Sequence, residues 1–594
     1  IEISNKFWPM SIIKKILIIL FLIIQISNLH AANVAEDTTF SSSVSGTQYN
    51  VTADDVAIIV TDDITLSRNQ KLFNINASTI TGTTITVHSG STITTTNSNT
   101  VFTNGGELTI TNSGTVSTSS SKAINVSNSD GTSITNNSGG VISSNGNTIL
   151  GDAGDGANNT TIDNSGEIFS TKTTSESSAI IVADDNTGTT ITNNAAGSIY
   201  SKGNKSTIIL GASSTLTNSG SIKNNKSVEN NAIQLKGNDN TITLKDEGIV
   251  VGIIKSATSA TGNKLRINHG VGSNYYYNTS GDFTLEDLDG NQVVKGSAGS
   301  AGQGGSETLD ELLSYKSINL RNFFNEYNKL GDQDAWGETY ISYLKRDTHK
   351  SNLATEYDLT NFGVNLINKI DNANFVIAFE GGRQDFVKDH NIDYQNITAG
   401  VYLPQKDNPY LNLDLFILGG ITLKDGERII LTNTTTSGKL TIDSDYETYE
   451  IHTGIKKNNS SSIPDFGFAA SYSMTPSYDE SKYFSWTDKH VGNLSIFFED
   501  DYNFIKNKDS KLFLGWTLDM RKMIGDNKQV YSINGTSATY KQHNDLTNEI
   551  SLIANMGYEK KFSDKSKILF SLDAKNTNRY TKSFGANVSF KSKF

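Results

Sequence analysis

From Trp336 to the C-terminus, apolar and polar residues alternate with a period of two. Between Lys511 and Arg521, one face carries Leu512, Leu514, Trp516, Leu518 and Met520; the other carries Lys511, Phe513, Gly515, Thr517, Asp519 and Arg521. In the last run, Phe584, Ala586, Val588, Phe590 and Phe594 stand against Gly585, Asn587, Ser589, Lys591 and Lys593. Successive side chains of a strand point to opposite faces, so each run has one apolar and one polar side. Twelve such runs begin near residues 336, 354, 373, 392, 409, 441, 465, 489, 511, 547, 566 and 581, and the stretch Gln529–Tyr540 reads as part of a loop. Apolar faces outward, polar faces inward and every backbone group paired is the condition met by a closed antiparallel β-barrel in lipid. Connections after the even runs are mostly short (Lys369–Ala373, Pro404–Pro409, Lys506–Ser510, Phe562–Lys565), whereas those after odd runs include long ones, about 424–440, 475–488 and 524–546. Short turns belong on the periplasmic side and long loops outside, and an even count returns both barrel ends to the periplasm.

Directly before the barrel, over 307–330, Leu309, Leu312, Leu313, Leu320, Phe323, Phe324 and Tyr327 keep helical spacing. Thr308 with Glu311 three residues on has the form of a capping box. A helix of about 20 residues reaches roughly 30 Å, enough to cross a bilayer core inside a pore. Residues 295–306, rich in Gly and Ser, read as a flexible linker.

Upstream the composition changes. From about Asn33 to Val294 Thr, Ser, Asn and Gly dominate and aromatics are rare. One motif recurs: Ile110-Thr-Asn-Ser-Gly-Thr-Val116, Ile134-Thr-Asn-Asn-Ser-Gly-Gly-Val-Ile142, Ile162-Asp-Asn-Ser-Gly-Glu-Ile168, Ile191-Thr-Asn-Asn-Ala-Ala-Gly-Ser-Ile199 and Leu216-Thr-Asn-Ser-Gly-Ser-Ile222. Its glycines are read as Gly114, Gly139, Gly166, Gly197 and Gly220. A second motif falls between copies, as in Ala123-Ile-Asn-Val126 and Ala179-Ile-Ile-Val182. One repeat cannot bury its own apolar residues, but stacked copies can. The expectation is a right-handed parallel β-helix over 33–239, one repeat per coil, with coils about 4.8 Å apart. Such a composition also occurs in disordered segments, but Ile and Val recur too regularly for a solvated tail. Residues 240–294, denser in apolar residues, read as the cap of the array.

The N-terminus carries Lys14 and Lys15, an apolar run from Ile16 to Ile24, and a small-residue exit at Ala31-Ala32. These are the parts of a secretory signal, assigned to 1–32 with Met10 as a candidate start. No later stretch reaches the roughly 20 apolar residues of a membrane helix. A net charge of −12, without a concentrated basic face, argues against a nucleic-acid partner. The absence of cysteine excludes disulfide scaffolds, thiolate metal sites and cysteine nucleophiles.

With this signal, repeat array, cap, helix and terminal aromatic strand, the chain resembles a classical monomeric autotransporter (type V secretion) of Gram-negative bacteria. The resemblance covers nearly the whole sequence. It implies a barrel in outer-membrane lipid and a β-helical passenger exposed at the cell surface. The implied partners are the general secretion translocon and the barrel-assembly machinery, the latter reading Val588, Phe590 and Phe594. Ser592 stands where that signal usually has an apolar residue. The cap would nucleate passenger folding, and the protein would be a monomer. Some members cleave their pore helix beside an Asn-Asn pair; here Asn319, Asn322, Asn325 and Asn328 are never adjacent.

Enzymatic chemistry finds little support. There is no Gly-x-Ser-x-Gly elbow, and the repeat half holds only two histidines, His88 and His269. Asp152, Asp155, Asp184 and Asp185 occupy comparable turn positions in neighbouring repeats. Such carboxylates suit Ca²⁺ or a lyase-type polysaccharide site, but Asp is also favoured in turns for local backbone bonding. The expectation is therefore a non-enzyme without cofactor, an adhesin or surface-interaction stalk for an extracellular ligand of unspecified identity. Two other readings stay open: a carbohydrate-active enzyme on the β-helix, and a porin whose lumen is lined by residues such as Glu450 and His452.

Overall fold

The computed structural model describes residues 30–592 apart from 76–78, 104–105, 121, 152–155, 175–176, 295, 302–307, 331–334, 348–355, 372, 409–410, 460–462, 527, 534–538, 544–546 and 564. The signal segment up to residue 29, Asp152, Asp155 and Phe594 therefore lie outside the described residues. The chain forms two compact units. The first runs to Gly270 and includes Tyr277–Asp289 and Leu431–Lys439; the second comprises Val271–Tyr276, Gly290–Ile430 and Leu440–Phe594.

The first unit is a parallel β-solenoid with three sheets of 11, 11 and 9 strands. Each coil contributes a short strand to each sheet, and register follows the repeat. In the first sheet Phe73, Val101, Ile124, Ile149, Ile180, Ile208, Ile233 and Ile254 are successive partners. In the second the column is Ile85, Ile110, Ile134, Ile162, Ile191, Leu216, Ile242 and Leu265. In the third it is Leu66, Ile93, Val116, Ile142, Ile168, Ile199, Ile222 and Val250. All are buried. β-Branched side chains suit such a pleated, packed surface, and each column buries what one coil alone would expose.

The asparagine of the repeat has an equally definite role. Asn112, Asn136, Asn164, Asn193 and Asn218 stack in register. Each of the first four donates its Nδ2 to the Oδ1 of the next at 2.8 Å. The same amides also donate to the carbonyls of Gly114, Gly140, Gly166 and Gly197 at 3.1–3.2 Å. A Cβ at Gly140 would strike Asn136 Oδ1 and the Asn112 carbonyl. The structure thus puts Gly140 in the glycine column. Gly139 sits one residue earlier, at φ +81° and with open space around it. The turn in that coil is longer, which shifts the glycine that the motif alone suggested.

Beyond residue 239 the coil continues in register. Leu216 pairs with Ile242, Ile242 with Leu265 and Leu265 with Leu285. Within the Gly/Ser stretch expected to be a linker, Ala298–Ser300 forms a strand and is buried. Val294 N–H donates to the Gly299 carbonyl at 3.0 Å. Small side chains permit this close approach: a Cβ at Gly299 would collide with Ile533.

The second unit is a closed antiparallel barrel. Its twelve strands are β1 (Ala335–Arg346), β2 (Tyr357–Ile370), β3 (Ala373–Phe386), β4 (His390–Leu403), β5 (Asp414–Thr432), β6 (Tyr446–Lys457), β7 (Asp465–Thr475), β8 (Lys489–Lys506), β9 (Ser510–Gly525), β10 (Asn548–Lys561), β11 (Ser566–Thr577) and β12 (Thr581–Ser592). Pairing of β1 with β12, from Ala335–Ser592 to Arg346–Thr581, closes it. Every strand exposes apolar side chains on its outer face, among them Ile341, Phe362, Phe379, Ile397, Ile417, Ile451, Phe468, Ile496, Trp516, Leu552, Phe570 and Phe584. A continuous apolar belt of this kind belongs in hydrocarbon.

One sequence expectation is corrected here. The stretch Gln529–Tyr540, expected as loop, overlaps the strands Lys528–Ile533 and Thr539–His543. They join Tyr478–Asp479 and Phe484–Trp486 in a separate four-stranded antiparallel sheet. Its core gathers Phe484, Trp486, Tyr531 and Ile533. Two long loops complete each other, a pairing that neither shows alone.

Candidate functional site: the helix in the barrel lumen

The helix α1 (Leu309–Leu330) lies inside the barrel. At about 1.5 Å per residue, its 22 residues span the lumen. Thr308, at its start, accepts from Gln384 Nε2 at 3.1 Å, near the long-loop end of β3. Asn328, near its end, donates to Asp414 at 2.8 Å, at the short-turn end of β5. The path therefore runs from one rim to the other.

A helix in water needs only one apolar stripe, but this one is covered all round, so each polar group must meet a partner on the wall. Its charges do so. Both oxygens of Glu311 are engaged there: Oε1 lies 3.1 Å from Arg346 and 3.1 Å from Arg579, and Oε2 accepts from the Tyr357 hydroxyl at 2.7 Å. Lys316 pairs with Glu450 at 2.9 Å and donates to Thr422 at 2.8 Å. Arg321 pairs with Asp519. Glu326 accepts from Ser571 at 2.6 Å and Ser589 at 3.0 Å. Asn325 donates to Glu499 at 2.9 Å, and Glu499 is held by Lys456 at 2.8 Å.

The apolar stripe has its own seat. Phe323 stacks on Trp336 at 4.5 Å and Phe324 on Tyr402 at 4.3 Å. Wall aromatics fold over glycines of the neighbouring strand, Phe497 over Gly467 and Phe513 over Gly557, where a Cβ would clash with the ring. A cavity of about 20 Å³ remains among Lys316, Asn319, Leu320 and His452, room for about one water. Glu450 and His452 do face the lumen, as their alternation predicts, but both are buried under α1.

The other sequence-derived candidates fall as follows. Val588 and Phe590 are on the lipid face of β12. Asp184 and Asp185 lie on the strand Ile180–Thr187, of which only the backbone is described at those positions. Among the described residues no group of three His, Cys, Asp or Glu side chains is gathered to hold a metal. The two solenoid histidines are separate. His88 lies 3.5 Å from Asp62 at the surface. His269 is buried; its Nδ1 accepts from Glu247 N–H at 3.2 Å, so its Nε2 donates to the Tyr277 hydroxyl at 2.8 Å. The wall partners of α1 were missed from sequence. The signal was the charged residue inside each alternating run, but nothing local says which helix residue it meets.

The second unit is thus a closed β-barrel with an apolar outer belt and a helix filling its lumen. Carried in one chain behind an N-terminal β-solenoid, it gives the protein the architecture of an autotransporter. No family model matches the sequence, and no curated protein matches it. Among solved structures it is similar to the translocator domain of the autotransporter NalP from Neisseria meningitidis, at 10% identity and a TM-score of 0.35, covering 49% of this chain and 100% of that one. It is also similar to the β domain of the Bordetella autotransporter BrkA, at 9% identity and a TM-score of 0.29, covering 44% and 99%. A third is an outer membrane channel from Pseudomonas putida F1, at 12% identity and a TM-score of 0.26, covering 44% and 96%. These likenesses concern fold alone.

Proposed function

We propose that the barrel exports its own solenoid and then anchors it at the cell surface, where the solenoid acts as an adhesin or other surface-interaction element. The observation that carries this reading is α1 in the lumen. It is the segment that joins solenoid to barrel, and each of its buried charges has a partner on the wall. A chain end that entered β1 from the periplasm and carried a domain outside would have to cross there. The same reading assigns the general secretion translocon, the barrel-assembly machinery and outer-membrane lipid as partners, with Val588, Phe590 and Phe594 as the assembly signal. Protease shaving of intact cells tests it. Release of fragments containing residues 33–239, with the barrel left in the membrane, is the expected result. Fragments released only after the outer membrane is permeabilised would sink surface display. A porin would instead give steady conductance in planar bilayers; the seated helix predicts a largely closed channel.

A further inference from the structure

Between Phe102 and Tyr275 the sequence contains only two aromatic residues, Phe169 and Tyr200. They are in register on neighbouring coils of the third solenoid sheet. Their side chains point outward and are half-buried, and the rings stack at 4.7 Å with an interplanar angle of 3°. The rest of that outward column is specific too. Before Phe169 come Ser67, Thr94, Ser117 and Ser143; after Tyr200 comes Lys223. Within this row Ser117 Oγ donates to Thr94 Oγ1 at 2.9 Å. Ser143 is too short to cover a phenyl ring, which leaves the outer face of the Phe169–Tyr200 stack open toward the hydroxyl row. Lys202, exposed, follows directly on the Tyr200 strand. Among the described residues neither Lys202 nor Lys223 has a carboxylate within ion-pair distance in the structure. Glu167 lies on the opposite flank, two residues before Phe169.

We propose that this column binds an anionic oligosaccharide laid along the solenoid axis. The inference rests on the surface display proposed above and names the class of ligand displayed to. A pyranose offers an apolar C–H face for an aromatic ring and hydroxyls for the serine and threonine row. Coils stand about 4.8 Å apart, so successive sugar units meet successive coils. Lys202 and Lys223 supply the charge complement for a carboxylate or sulfate, and Glu167 fixes orientation by repelling that group from the other flank.

Calorimetric titration of the detergent-solubilised full chain tests it, with a galacturonate oligomer (carboxylated), a heparin oligosaccharide (sulfated) and maltoheptaose (neutral) as probes. At least one anionic probe is expected to bind, and maltoheptaose at least about tenfold more weakly. Phe169→Ala is expected to weaken binding by about tenfold or more, with Phe169→Tyr close to wild type. Lys223→Gln is expected to weaken binding and flatten its salt dependence. Thermal unfolding followed by circular dichroism separates lost binding from lost fold. If Phe169→Ala unfolds, Lys223→Gln decides. No binding of either anionic probe, equal binding of maltoheptaose, or unchanged affinity in the folded variants would overturn the site. Binding by the purified chain with failed shaving of intact cells would leave the site standing and sink surface display.

Discussion

The solenoid and the barrel lumen both bury polar side chains, and they do so with opposite chemistry. The solenoid buries neutral amides, each bonded to a copy of itself 24 to 29 residues along the chain. The lumen buries charges, and those carried by α1 have distant partners: Lys316 and Glu450 are 134 residues apart, Arg321 and Asp519 198. An amide ladder is complete as soon as the next coil arrives, so the solenoid can grow coil by coil. The charges of α1 are satisfied only when the barrel has closed around it. Stability in one unit is local and additive; in the other it depends on a single cooperative seating.

The largest test of this contrast is Glu311→Ala. It removes the carboxylate between Arg346 and Arg579, whose side chains are almost fully buried. Breaking a buried pair from one side typically costs about 3–5 kcal/mol. The folded barrel should lose that much in urea titrations followed by gel mobility, and its bilayer conductance should rise as the helix start loosens. Unchanged stability and conductance would mean that Glu311 does not seat the helix.

The ladder should respond less. Asn164 accepts from Asn136 and donates to Asn193, so Asn164→Ala leaves the buried Asn193 Oδ1 without its donor, while Asn136 Nδ2 keeps the Gly140 carbonyl. The expected loss is about 1–3 kcal/mol. Hydrogen exchange should quicken in the coils around residues 136–193 and leave the barrel unaffected. A loss spread evenly over both units would mean that the amide ladder does not act locally. Ile168→Val, one methylene from the third core column, should cost about 0.5–1.5 kcal/mol, confined to the same coils.

How much of this was legible in the sequence follows the same division. Ile110, Ile134, Ile162, Ile191 and Leu216 gave the register of the second sheet, because a solenoid repeats its contacts at a fixed chain distance. The start of β3 at Ala373, of β7 at Asp465 and of β12 at Thr581 followed from period-two alternation, which is local. What stayed hidden was non-local or irregular. The sheet built from Phe484–Trp486 and Lys528–Ile533 needs two loops to meet. The engagement of Glu311 with the wall needs β1, β2 and the β11–β12 turn together. Gly140 was displaced from its expected place by one extra turn residue. Phe169 and Tyr200 were passed over because a single aromatic in a polar repeat looks like scatter until register stacks it on the next.

The smallest effect is expected at an ion pair on the solenoid. Arg266 and Glu286 are register partners on adjacent coils, 2.7 Å apart and about one-third exposed. Solvent screens such a pair, and its net worth is about 0–1 kcal/mol. Arg266→Gln should therefore shift the unfolding midpoint of the solenoid only slightly, and less still at high salt. A loss as large as that of Glu311→Ala would mean that charge pairing as such, rather than enclosure of the charge, separates the two units. A small loss assigns the difference to burial: the charges bind α1 tightly because the lumen excludes water, and the solenoid does without them because its amides are already paired.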